Sequence, residues 1–301
     1  MTDLVITHWT AENRGEFRRG VTAARHRLNQ AQEFTDFALA ELIERHPGDL
    51  LEIRRKGGEG GAAPVKPGDG MDLLDAVRSG RACIQLREAM SRDAAYKPMF
   101  ESLIAQLRRL NPGLHVFGGS ADILISGPGA HLAYRADFPE VSLFQVKGRQ
   151  RVFVYPPYAP WLDERKLERA LLGAEDDETA PPPEWEIEAA VRDLEGGTLL
   201  SWPLNAPYCA ETLADLNVSV VLKMDTFESV MRTGVLHANA LLRRIGYSPR
   251  SSGGTGLGAM IKLAISQSWR LGTAIARRPA ARPAPVFETA TERDMGEHAT
   301  A

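Results

Sequence analysis

The chain has 301 residues, 44% hydrophobic and 25% charged, with a formal net charge of -3 and a sequence pI near 6.2. That balance is ordinary for a folded protein with a real core, and it supplies no global field to recruit nucleic acid or an anionic membrane. No run of about 18 apolar residues exists and the opening "MTDLVITHWTAENRGEF" lacks the regions of a signal peptide, so neither a membrane span nor a leader is expected.

Two cysteines, Cys83 and Cys209, in no metal-ligand spacing lead to the expectation of a reduced, cytoplasmic setting. The first 30 residues mix polar and apolar positions with little period and read as an extension or a helix of undefined docking. In "FTDFALAELIERHPGDLLEIRR", Thr35 or Asp36 caps a helix carrying Phe37, Leu39, Ala40 and Ile43 at helical spacing, and Pro47-Gly48 stops it. "LLEIRR" reads as a strand and "KGGEGGAAPVKPGDG" (56–70) as a Gly/Pro-rich loop. "MDLLDAVRSG" is a predicted helix, "RACIQLRE" a strand, and "AAYKPMFESLIAQLRRLNPG" an amphipathic helix ended by Pro112-Gly113.

From residue 114 the period changes from helical to alternating. "LHVFGGSADILISGPGAHLAYRAD", "VSLFQVKGRQRVFVYPP", "GGTLLSWPLNAPYCAETL" and "LNVSVVLKM" are short strands broken by Gly, Pro and Asn, the pattern of a sandwich or small barrel. Helices return with "DTFESVMRTGVLHANALLRRIGYSPR" and "GLGAMIKLAISQSWRLGTAI", and a Pro/Ala-rich tail follows that reads as disordered. The expected division is an N-terminal helical or extended segment over 1–70, a barrel core over 71–225, C-terminal helices over 226–275, and a tail over 276–301.

"AYRADFPEVSLFQVKGRQRVFVYPP", followed some fifty residues later by "LEGGTLLSWPLNAPYCAETLADLNVSVVL", resembles the cupin-like, Jumonji-C-type branch of the double-stranded β-helix oxygenases. The resemblance covers roughly residues 30–275 in layout, with its specific motifs within 114–224. It implies a mainly β fold with flanking helices: a jelly-roll barrel with helical N- and C-terminal additions. It also implies an Fe(II) site made of a His-x-Asp/Glu pair and a distant histidine, with a basic residue anchoring 2-oxoglutarate. Two imidazoles and a carboxylate on one face of iron leave positions open for co-substrate and oxygen.

Laid over that pattern, the first ligand position holds Arg135, the carboxylate is Asp137, the distal histidine position is Tyr208, and the 2-oxoglutarate position is Gln150. A guanidinium has donors only, no lone pair for a metal, and a permanent charge. Two unit charges ~4 Å apart interact by about 4 kcal/mol at an effective dielectric near 20, so a fixed cation beside Fe(II) repels it. The positive reading is an Arg135–Asp137–Tyr208 network in which the guanidinium neutralises the carboxylate, either as a rigid strut or as the seat of an anionic or sugar-like ligand. Lys223, on the face of "LNVSVVLKM" shared with Asn217 and Ser219, either anchors a carboxylate or reaches solvent at the strand end. His115, His131 and His237 read as packing or surface histidines. Trp161 and Trp202 read as buried packing.

The expected function is a metal-independent ligand-binding or regulatory/interaction module with no cofactor, taking a small anionic or sugar-like ligand or a protein partner. Neither nucleic acid nor membrane is expected as a partner. The alternative is an Fe(II)/2-oxoglutarate-dependent hydroxylase of a peptide or small metabolite. A third reading is a metal-free enzyme using Tyr208 as acid/base. Phe227, Val230, Met231, Val235 and Leu241 offer a surface for a homodimer or for folding back onto the barrel. "SSGGTGLG" (251–258) lacks the Lys-Ser/Thr of a P-loop and reads as a linker.

Overall fold

The computed structural model describes residues 5–55, 68–174, 181–247 and 249, together with the strand Phe287–Glu288. In chain order the strands and helices are β1 (Ile6–Thr7), α1 (Ala11–Glu16), β2 (Thr22–His26), α2 (Asp36–Arg45), β3 (Leu51–Arg55), α3 (Asp69–Arg78), β4 (Ala82–Leu86), α4 (Ala89–Arg92) and α5 (Lys97–Leu110). There follow β5 (Val116–Ser126), β6 (His131–Arg135), β7 (Glu140–Val154), α6 (Glu164–Leu171), β8 (Ala190–Glu195), β9 (Thr198–Ser201), β10 (Tyr208–Thr226), α7 (Phe227–Arg244) and β11 (Phe287–Glu288).

Two strands organise everything else. β7 and β10 run for 15 and 19 residues, three times an ordinary strand, and pair with each other antiparallel along most of their length. Each therefore belongs to two layers. The early half of β7 pairs with β9 and its late half with β8. The start of β10 pairs with β6 and its end with β5. One layer runs β1-β2-β9-β7-β10-β5-β4-β3, and the other is β11-β6-β10-β7-β8. This is the jelly-roll arrangement, mainly antiparallel β with flanking helices. The bend between layers falls where the register slips, between Ala214 and Val218 against Arg149 and Lys147. Gly148 sits there at φ 72°, and a Cβ would come within 2.7 Å of the Leu216 carbonyl. Only glycine turns that corner unstrained.

Alternation along the strands separates two interiors. On β10, Val218, Val220 and Leu222 point to an outer core shared with α2, α3 and α5, while Tyr208, Ala210 and Val221 point into the lumen between the layers. α2 begins at the Thr35 cap and buries Leu39, Ala40, Leu42 and Ile43. It crosses α3 so closely that a Cβ on Gly70 would lie 2.4 Å from the Ala40 carbonyl.

Several expectations shift. The first 30 residues contribute β2, paired Thr22↔Ser201 to Arg25↔Thr198, so they extend the sheet instead of forming a loose extension. The signal was present: Thr22, Ala24 and His26 are buried while Ala23 and Arg25 are exposed, a period of two carried by small residues. With β1 and β3, this puts three strands of the 1–70 segment into the barrel's sheet. α7 folds back onto its own chain: Met231 and Val235 are buried, while Phe227 and Val230 stay exposed. The stretch read as a second C-terminal helix, the 251–258 linker and most of the 56–70 loop lie outside the described residues. So does the tail read as disordered, except Phe287–Glu288, which pairs with β6. Among the described residues no helix is long and apolar enough to cross a membrane, and both cysteines are free thiols.

Candidate functional site

β6 ends at Arg135, whose register partner is Tyr208 at the start of β10. Asp137 follows two residues later, just past the strand, in the turn that leads into β7. The three side chains meet. Arg135 Nη2 donates to Asp137 Oδ1 at 3.0 Å, and the Tyr208 hydroxyl donates to Oδ2 at 2.6 Å. Both carboxylate oxygens are thus occupied, and Asn205 Nδ2 donates to the Asp137 backbone carbonyl at 2.8 Å. Arg232 of α7 reaches Asn205 Oδ1 at 3.3 Å and pairs with Glu164 of α6, tying the helices to this corner. Trp202 packs on Tyr208 with ring centroids 4.6 Å apart.

A second ion pair lies beside the first. Lys223 Nζ contacts Asp122 Oδ2 at 2.7 Å, so the lysine is held at the lumen by a buried aspartate and does not simply run out to solvent. Asp122 also accepts from Gln85 Nε2 at 3.0 Å and from the Glu88 amide at 2.8 Å. The fields of the two pairs overlap. Burial pushes the Asp137 carboxyl up, but Arg135 and then Lys223, with the Tyr208 hydrogen bond, outweigh it and hold the group below the usual aspartate range. Burial, followed by the Asp137 charge, drives Tyr208 well above an ordinary tyrosine, so the phenol stays protonated and donates. Two cations and two carboxylates leave the cluster neutral, the condition under which buried charge persists.

Gln150 belongs elsewhere. It lies four residues along β7 from Val154, the residue opposite Tyr208, which is roughly 13 Å on an extended strand. Its amide is 3.4 Å from Ser219 Oγ, among Ser126, Thr212 and Asn217. These groups bond to one another, Ser126 to Thr212 at 2.8 Å and Asn217 Nδ2 to Ser126 at 3.2 Å, around a cavity of about 10 Å³. Such a space holds one water molecule. Leu124, Leu132 and Leu143 fill the rest of that wall. Of the residues expected to line one pocket, Arg135, Asp137, Tyr208 and Lys223 thus lie at one polar cluster and Gln150 at another.

The residues missed in the sequence are Asp122, Gln85 and Asn205. Asp122 was visible in principle, because it shares the parity of Leu124 and Ser126 in "ADILIS" and so had to face the same interior. His115 and His131 are exposed and His237 is buried on α7, all away from the cluster's hydrogen bonds. Trp202 is buried as expected, and Trp161 is half-buried with its carbonyl accepting from Tyr134 at 2.6 Å.

The side chains at 135, 137 and 208 do not fit the ferrous ion that the resemblance implies. Arg135 Nε is buried without a hydrogen-bond partner among the described residues, but it is an N–H donor and offers a metal nothing. Asp137 has both oxygens engaged, and among the described residues no group of three or more His, Cys, Asp or Glu is placed to hold a metal ion.

No protein-family model and no curated protein matches the chain. Solved structures do. The X-ray structure of E. coli YcfD matches at TM-score 0.49 and 17% identity, over 90% of this chain and 69% of that one. YcfD, a ribosomal oxygenase from Escherichia coli, in complex with cobalt and 2-oxoglutarate matches at TM-score 0.43 and 17% identity, over 85% and 64%. Its complex with cobalt and succinic acid matches at 0.41 and 15%, over 83% and 63%. These complexes correct the expectation of no cofactor: a barrel to which this chain is similar takes a divalent metal together with a dicarboxylate, so that expectation is withdrawn.

Proposed function

We propose that the chain acts as a regulatory or interaction module built on an oxygenase-type barrel. The observation that supports this reading is the Arg135–Asp137–Tyr208 cluster, which engages both oxygens of the one carboxylate among the expected ligand positions. The charged groups of the cluster are partnered with one another, so the reading favours a protein partner at the surface over a metabolite inside. Free thiols and a mildly acidic charge suit the cytoplasm, and exposed Phe227 and Val230 on α7 suit pairing of two copies, which a mass measurement in solution tests. The test of the main reading is succinate release from purified chain supplied with Fe(II), 2-oxoglutarate and ascorbate. Release no greater than from Asp137→Ala is expected.

A second reading is an Fe(II)/2-oxoglutarate-dependent hydroxylase with unusual ligands. Lys223 favours it, since its ammonium stands at the lumen close enough to Asp137 to act on that carboxyl, where an oxo-acid would need a cation. The cobalt, 2-oxoglutarate and succinic acid of the YcfD complexes are of this chemistry. Succinate release abolished by Asp137→Ala would establish the second reading and discard the first.

A further inference from the structure

β6 is the last strand of its layer on the barrel itself: β10 pairs with one side, and the other would be bare. A bare edge exposes a row of unpaired amides and carbonyls that accepts any extended chain. Here it is not bare. β11, from the far C-terminal part of the chain, pairs antiparallel with it, Phe287 opposite Leu132 and Glu288 opposite His131. The next residues along β6 are Ala133, Tyr134 and Arg135, so this edge leads directly to the charged cluster.

From these placements we propose that the outer edge of β6 is a strand-addition site, and that its resident occupant is the chain's own C-terminal strand at Phe287–Glu288. Recognition of this kind is carried by main-chain hydrogen bonds, with specificity added by alternate side chains. A pairing of two residues is small. It protects the edge against indiscriminate pairing yet yields to a longer extended peptide, as a displaceable cap must. The stretch between Tyr247 and Phe287 spans on the order of 100 Å when extended, so reach does not prevent the strand from closing on its own barrel. The inference deepens the interaction-module reading and rests on it. Its test reads backbone exchange, not turnover, so each can fail alone.

The experiment is hydrogen–deuterium exchange on the full chain, comparing wild type with a variant carrying Phe287→Pro and Glu288→Pro, which removes both amide donors of the strand. The cap predicts that a peptide spanning 131–135 exchanges at least ten-fold faster in the variant, with β5 and β7 unchanged. It also predicts that a synthetic peptide of residues 282–292 added in excess slows it again. Equal exchange in the two chains overturns the proposal. As a second variant, His131→Cys with Glu288→Cys is oxidised at low concentration and the products are mapped. A crosslink within one chain supports the cap. A crosslink between two chains, or none, overturns it, the former by making the occupant a second copy.

Discussion

Two interiors lie back to back on one sheet, and they are built on different principles. Leu143 and Phe144 are neighbours on β7, yet Phe144 enters the outer core with Leu42, Ile84 and Val220, while Leu143 enters the lumen with Leu124, Leu200 and Trp202. The outer core is aliphatic and aromatic, closed by helices, and its energy comes from area removed from water. The lumen surrounds its apolar side chains with two ion pairs at one cluster and an amide-hydroxyl group at the other. Buried charges contribute little net stability once their desolvation is counted, but removing one partner is costly because the other is stranded. The outer core thus sets how stable the barrel is, and the lumen cluster fixes a particular arrangement of strand ends and helices.

That contrast can be broken at several points. The largest effects come from deletions. Phe144→Ala should cost about 3–5 kcal/mol by denaturant unfolding, and Leu143→Ala about 2–5 kcal/mol. If Leu143→Ala behaved like a surface change, the lumen would be open and the two interiors would not be comparable. Asp137→Ala should cost about 3–5 kcal/mol, because it leaves the Arg135 guanidinium without its carboxylate.

Next is acid. His26 docks β2 against the sheet, with Nδ1 accepting from the Leu28 amide at 3.1 Å and Nε2 facing the Thr198 carbonyl at 3.2 Å, against the Phe144 ring. Burial lowers its pKa to about 4, and its unfolded value is 6.5. The folded state therefore resists the proton. This contribution is complete above pH 6.5 and is lost as pH falls toward 4, by about 3 kcal/mol in all. Unfolding free energy measured from pH 7 to pH 4 should show that slope, and His26→Gln should flatten it. The carboxyl of Asp137, held below its ordinary value, adds its own loss only at lower pH, beneath its unfolded value near ~3.9. The smallest change is Tyr208→Phe, which removes one hydrogen bond to a charged group and should cost about 1.5–3 kcal/mol with the fold intact by circular dichroism.

Much of this layout was legible in the sequence because it is local. Thr35 as a cap and the alternation in "LNVSVVLKM" each mark their own place. The Arg135–Asp137–Tyr208 contact was legible because two of its members are two residues apart and the third stands at a recognisable strand start. Three things were not. β2 is written in small residues whose alternation is weak. Asp122 reaches the site only through the pairing of β5 with β10, which no short window contains. The filling of the lumen depends on the summed volumes of Leu124, Leu132, Leu143 and their neighbours across four strands, a property of packing that pattern alone does not report.

The account turns on whether Arg135 and Asp137 act as one unit inside the barrel. A double-mutant cycle in unfolding free energy, with Arg135→Met, Asp137→Leu and the pair, measures this directly. A coupling of about 1–3 kcal/mol, the double variant being less destabilised than the sum of the singles, is predicted. Additivity within about 0.5 kcal/mol would contradict it, showing that the two side chains do not hold each other in solution.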